Sequence, residues 1–160
     1  MTTLDQLLSA DDPNSLFGRV RSHALASGRF ARVNQHEPKN APGHGLSAAL
    51  WVDRIDPVAE VSGLAATSAR IVFHLRVYSN MLQEPQDAID PGVLSAVAAL
   101  MTAYSGDFTL GGLVKQVDLL GQHGISLSAR AGYINQDSRL YRVMLLQVPI
   151  VINDVFDQEE

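Results

Sequence analysis

Between Ser68 and Tyr78 the sequence SARIVFHLRVY alternates with a period of two. Ile71, Phe73, Leu75 and Val77 fall on one side, and Arg70, Val72, His74, Arg76 and Tyr78 on the other. Successive side chains leave opposite faces of a pleated backbone, so the pattern predicts a strand with one face on a core. The second face carries two arginines, a histidine and a tyrosine around one valine. It is too polar for a second core and too aromatic for ordinary solvent surface. Two readings stay open: a solvated strand face with no role, or a cationic surface that meets an acidic partner.

The other elements follow from spacing and punctuation. Leu4, Leu7 and Leu8 fit one amphipathic turn or a frayed terminus. Leu16, Phe17, Val20, His23, Ala24 and Ala26 recur at helical spacing, with Asp11, Asp12 or Asn14 as N-cap, Pro13 in the first turn and Gly28 as the stop. That predicts a helix over about 13–27. Arg29 to His36 reads as a strand. Glu37 to Gly45, with two prolines and two glycines, reads as a projecting loop that includes Lys39 and His44, with His36 at its base. Leu46 to Ile55 reads as a strand ended by Asp56-Pro57, and Val58 to Thr67 as a connection.

Ser79 to Pro91 reads as a second long loop, made negative by Glu84, Asp87 and Asp90. Asp90 as N-cap and Pro91 at the first position open a helix whose stripe is Val93, Leu94, Val97, Leu100, Met101 and Tyr104. Phe108 to Leu120 reads as a strand with a bulge at Gly111-Gly112. Ile125 to Tyr133 alternates, Asn135 to Ser138 is a turn, and Leu140 to Val148 is a central strand broken by Pro149. Ile150 to Val155 is an edge, and the acidic residues 154–160 are read as mobile. The order helix, three strands, helix, three strands predicts a single α+β domain over 1–160, with helices packed on a mostly antiparallel sheet.

Composition narrows the function. The 160 residues are 46% hydrophobic and carry a formal net charge of −5. An acidic chain is poorly suited to binding nucleic acid by phosphate neutralisation. The absence of cysteine excludes disulfides, thiolate metal sites and a cysteine nucleophile. No basic segment precedes an apolar run near Met1, and no apolar run reaches the ~20 residues of a membrane span. The expectation is a soluble protein with no membrane partner.

Catalytic constellations are weak. The histidines at 23, 36, 44, 74 and 123 are scattered, and only His36 and His44 flank one loop in a way that a metal would use. Ser62-Gly63 lacks the flanking glycines of a nucleophile elbow. Gly111-Gly112 before Lys115 lacks the spacing of a phosphate loop. Asp53 with Asp56, and Asp87 with Asp90, read as solvated acids and a cap. The residues point to no catalytic group, cofactor or metal. The polar cluster that stands out is Arg70, His74, Arg76 and Tyr78, with Glu84 and Asp87 as acids of opposite charge in the loop that follows.

The chain resembles the tail terminator proteins of long-tailed (siphovirus-type) bacteriophages, in the version common among phages of actinobacteria. The resemblance is carried by short pieces in order. They include Gly28-Arg29-Phe30, His36-Glu37-Pro38, Ala49-Leu50-Trp51-Val52, Ser68-Ala69-Arg70, Arg76-Val77-Tyr78 and Ile89-Asp90-Pro91. Gly106-Asp107-Phe108, Val117 to Gly121, Gly132-Tyr133, Tyr141-Arg142-Val143 and Val148-Pro149-Ile150-Val151 follow. They span roughly residues 14–155.

The resemblance implies a structural virion protein with no catalytic residues. It implies a homo-oligomeric ring, usually a hexamer, on the head-proximal end of the tail tube. Such a ring stops tube polymerisation and joins the tail to the head, so its partners are the tail tube protein and a head-tail connector or neck protein. It would be folded in the host cytoplasm and located in the virion tail. DNA passes its lumen without specific binding, which an acidic lining would favour by like-charge repulsion. The alternatives are another ring component of the neck or tail, such as a connector or tube subunit, or a small ligand-binding or enzymatic α+β domain.

Overall fold

The strand first legible in the sequence lies in the middle of the sheet. In the computed structural model, which describes residues 4–9, 12, 14–37, 45–58, 66–81 and 86–157, β3 spans Ala66–Asn80. It is flanked antiparallel by β2 (Ser47–Val58) and β6 (Arg139–Asp157). The sheet order is β1-β2-β3-β6-β4, with β1 at Arg32–Asn34 and β4 at Gln116–Val117. The hairpin partner β5 (Ser128–Gln136) pairs with the first half of β6. The β1–β2 pair is parallel and all others are antiparallel. The chain is thus an α+β domain with a strand-rich mixed sheet, as the element order predicts.

Two helices cover one face. Ile71, Phe73, Leu75 and Val77 are buried there with Leu50, Leu146, Val148 and Ile150 of the adjacent strands. A fully buried side chain of this size contributes roughly 1.5–3 kcal/mol. A slip of one residue would turn all four outward, so this face fixes the register. The helices are α2 (Leu16–Ala26) and α3 (Ile89–Gly106), and a short α1 (Leu4–Leu7) adds the buried Leu7. The buried Tyr104 of α3 donates its hydroxyl to Val20 O of α2 at 2.8 Å. Phe17 meets Phe73 edge-on, with ring centroids 5.1 Å apart.

Several boundaries correct the sequence reading. Helix α2 begins at Leu16, and its cap is Ser15, whose Oγ accepts from Gly18 N at 3.2 Å. Asp12 instead accepts from Asn14 N with its side chain and from Ser15 Oγ with its carbonyl. Helix α3 begins at Ile89 after a 3-10 turn, Gln86–Ala88, so Asp90 lies in the first turn and is not the cap. Leu94, placed in the apolar stripe, is 58% exposed. The strand expected over 29–36 is only Arg32–Asn34. The stretch 108–120 is mostly turn: Leu110, Gly111 and Gly112 all have positive φ, and only Gln116–Val117 pairs.

Two prolines read as strand ends lie inside strands. Pro57 belongs to β2, where, among the described residues, no strand lies beside the edge away from β3 and a missing N–H costs no ladder bond. Pro149 belongs to β6, which runs unbroken to Asp157 and so includes residues read as a separate edge and a mobile tail. Its carbonyl accepts from Asp118 N, which puts its nitrogen on the same side, between the end of the β5 pairing at Gln147 and the start of the β4 pairing at Ile150. No donor is needed at that junction. The stretch Gln86–Gly106 is long and apolar enough, by length and composition alone, to cross a membrane, contrary to expectation. Its buried Val93, Val97 and Leu100 belong to the core against the sheet.

Candidate assembly surface

The face of β3 away from the helices is not an open cationic surface. Strand pairing sets Arg70 opposite Asp56. Its guanidinium donates to Asp56 Oδ2 from Nε at 3.2 Å and from Nη2 at 2.9 Å, while Nη1 donates to His123 O. Asp56 also accepts from Arg54 at Oδ1, with Nη2 at 2.6 Å. The hydrogen bond from Arg54, joined by that from Arg70, holds the Asp56 carboxyl below the usual carboxylate range. The same pair raises the Arg54 guanidinium.

The rest of the face is similarly engaged. His74 Nε2 is 3.6 Å from Asp53 Oδ2, and its ring stands edge-on to Trp51. Arg76 lies over the Trp51 ring, 4.8 Å from its centroid, donates to Tyr78 Oη at 3.3 Å, and has Glu37 Oε1 at 3.7 Å. Tyr78 is buried, against Tyr141, Ala49 and Val143, and that burial pushes its hydroxyl pKa up. The expectation that Tyr78 faces a neighbour is therefore corrected, and Arg70, His74 and Arg76 each have a carboxylate of the same chain within 4 Å. Asp87 and His36 are exposed. Glu84, Lys39 and His44 lie outside the described residues.

A loop after β4 closes part of this face. The buried Asp118 accepts from Gln122 N at 2.9 Å and His123 N at 2.8 Å, which folds residues 118–123 into a compact turn. Gln147 Nε2 then donates to Ser126 O at 3.0 Å. Asp118 has no neighbour in sequence that marks it. Only its two backbone bonds reveal its part.

Surfaces left without a partner are found at the two lateral edges. Beyond Asn34, β1 ends, and among the described residues no strand lies beside Val52–Pro57 of β2. Val52 and Ile55 point to the helix side of this edge, opposite Phe73 and Ile71, yet both are exposed. A bulge between Val52 and Arg54 keeps Asp53 and Asp56 on the other side. At the far edge, among the described residues, β5 pairs with β6 alone, and its Arg130, Ala131 and Tyr133 are exposed.

Beside β5 lies a cleft of about 180 Å³, between the start of α3 and the β5–β6 hairpin. Val93, Leu94, Ala131 and Met144 give it apolar walls, and Asp90 and Arg142 stand at its rim. Arg142 Nε donates to Asp90 Oδ1 at 2.9 Å, and its guanidinium lies 4.4 Å from the Tyr133 ring centroid. This cluster was not legible in sequence, because its members come from three separate elements. Among the described residues, no group of three or more histidines and carboxylates is arranged to hold a metal ion. Neither protein-family models nor curated proteins give a match to the sequence.

Proposed function

We propose that the protein is a structural subunit that closes head-to-tail into a ring, and that the ring caps the head-proximal end of a phage tail tube. The observation that carries the assembly reading is that, among the described residues, no strand lies beside Val52–Pro57 of β2 at one edge of the sheet or beyond β5 at the other. Unpaired backbone groups on an exposed edge are a template for another strand. Natural chains blunt such edges, and here the bulge, Pro57 and three charged residues limit what can pair with β2.

Strand direction favours head-to-tail closure. From β2 through β3 and β6 to β5 the sheet takes three antiparallel steps, so β2 and β5 run oppositely. A second copy rotated about a ring axis keeps its direction. Its β2 beside the first copy's β5 then forms an antiparallel pair. A ring needs this kind of heterologous contact, in which two different surfaces of the subunit meet. The tail role comes from the ordered short pieces that resemble tail terminators, and the net charge of −5 suits a lumen through which DNA slides.

Negative-stain electron microscopy of the purified protein, alone and mixed with tail tubes, tests the proposal. Closed rings alone, or a single ring on one end of each tube, are expected. Long tubes built from this protein alone would overturn the terminator role.

A further inference from the structure

We infer that the ring contact is a single register of β2 against β5 of a second copy, with Ile55 and Val52 of one copy docked at the apolar cleft of the other. This rests on the ring reading above and adds which residues meet. The β2–β3 pairing already shows how β2 is phased: Ile55 faces Ile71, and across the bulge Val52 faces Phe73. A strand on the other edge of β2 must follow the same one-residue shift. Setting Ile55 opposite Ala131 of the second copy then sets Val52 opposite Tyr133, Trp51 opposite Ile134 and Asp56 opposite Arg130.

Every one of these pairs is chemically matched. Rotation about a ring axis keeps the two faces of the sheet on their own sides. Val52 and Ile55 lie on the helix side of β2. Ala131 and Tyr133 lie on the helix side of β5, where Ala131 lines the cleft with Val93, Leu94 and Met144. Exposed apolar side chains on one edge therefore meet an exposed apolar cleft on the other. On the opposite face, the exposed cation Arg130 comes to the edge that carries the carboxylates Asp53 and Asp56. A register shifted by one residue would set isoleucine and valine beside Arg130 and Gly132, off the cleft. Cross-strand pairs of aromatic with β-branched residues, and of opposite charges, stabilise a sheet, which gives the contact its selectivity.

The lack of cysteine permits a direct test by engineered disulfides. Opposed residues of an antiparallel pair have Cα atoms roughly 4.5–5.5 Å apart, inside the range a disulfide spans. The variant with Ile55→Cys and Ala131→Cys is oxidised, and its covalent products are sized under denaturing conditions. Light scattering of the reduced protein gives its mass in parallel. A reducible ladder of covalent oligomers from the double variant is expected, with single variants uncrosslinked. The pair Ile55→Cys with Ala129→Cys, two residues out of register, is expected to crosslink at least tenfold more slowly. Faster crosslinking of that pair would overturn the register. An oligomer by light scattering with no crosslink, or single variants that crosslink to themselves, would overturn this contact while leaving the ring reading in place. A reduced protein that is monomeric at every concentration, with and without tail tubes, would overturn both.

Discussion

Arg70 holds Asp56 with two nitrogens on one oxygen, at 3.2 and 2.9 Å, across the β2–β3 pair. The pair sits on the sheet face away from the helices and is mostly shielded from solvent at the arginine. It joins β2 to β3 in the middle of the sheet. Arg70→Ala removes both bonds and the one that Arg70 Nη1 donates to His123 O. Hydrogen bonds to charged groups contribute ~1.5–3 kcal/mol, so a loss of about 2 kcal/mol in urea unfolding is expected. An unchanged midpoint would show that the pair adds nothing to the fold.

The same carboxylate gives a pH dependence. Its pKa is lowered in the fold, chiefly by the hydrogen bond from Arg54 and then by that from Arg70. An unfolded aspartate titrates near ~3.9. The folded state therefore binds the proton more weakly, and stability from this group is fully present above about pH 4. It is lost as pH falls through the lower folded pKa. The stability difference between the wild type and Asp56→Asn should shrink as pH falls below about 4. A difference that stays constant from neutral pH into that acid range would contradict the assignment.

Tyr104 offers a test in the core. Its hydroxyl, buried and pushed to a raised pKa by that burial, donates to Val20 O. Tyr104→Phe keeps the ring and removes the donor, so a loss of about 1 kcal/mol is expected by thermal or urea unfolding. Wild-type stability in the phenylalanine variant would mean that the α2–α3 contact is held by packing alone.

The β5–β6 turn predicts a change of opposite sign. Asp137 and Ser138 both have positive φ, 53 and 62, the conformation of a two-residue hairpin turn that favours glycine in its second position. Ser138→Gly should relieve a left-handed serine and stabilise the protein by roughly 0.5–1 kcal/mol, against the entropy that glycine adds to the unfolded chain. Destabilisation would show that the serine contributes more than its backbone costs.

What the sequence revealed, and what it hid, follows from the range of the signals. The alternation at 68–78 located the middle strand because burial on one face leaves a period-2 record. Helix α3 was legible for the same reason at period 3.6. Pro57 and Pro149 misled, since a proline breaks a strand only where its nitrogen must donate, and pairing partners decide that. The polar face of β3 was visible as a pattern, but its partners Asp53, Asp56 and Trp51 lie on another strand, so their engagement was not. Tyr78 was misplaced because its burial depends on Tyr141, 63 positions away in the chain. The free edges became visible only once the strand order was known.

Native mass spectrometry of the purified protein over a concentration series tests the ring most directly. A closed ring predicts one dominant assembly at a fixed integer multiple of 17.3 kDa, with intermediates that vanish as it forms. An open series of masses that keeps extending with concentration, or a monomer throughout even when tail tubes are added, would contradict it.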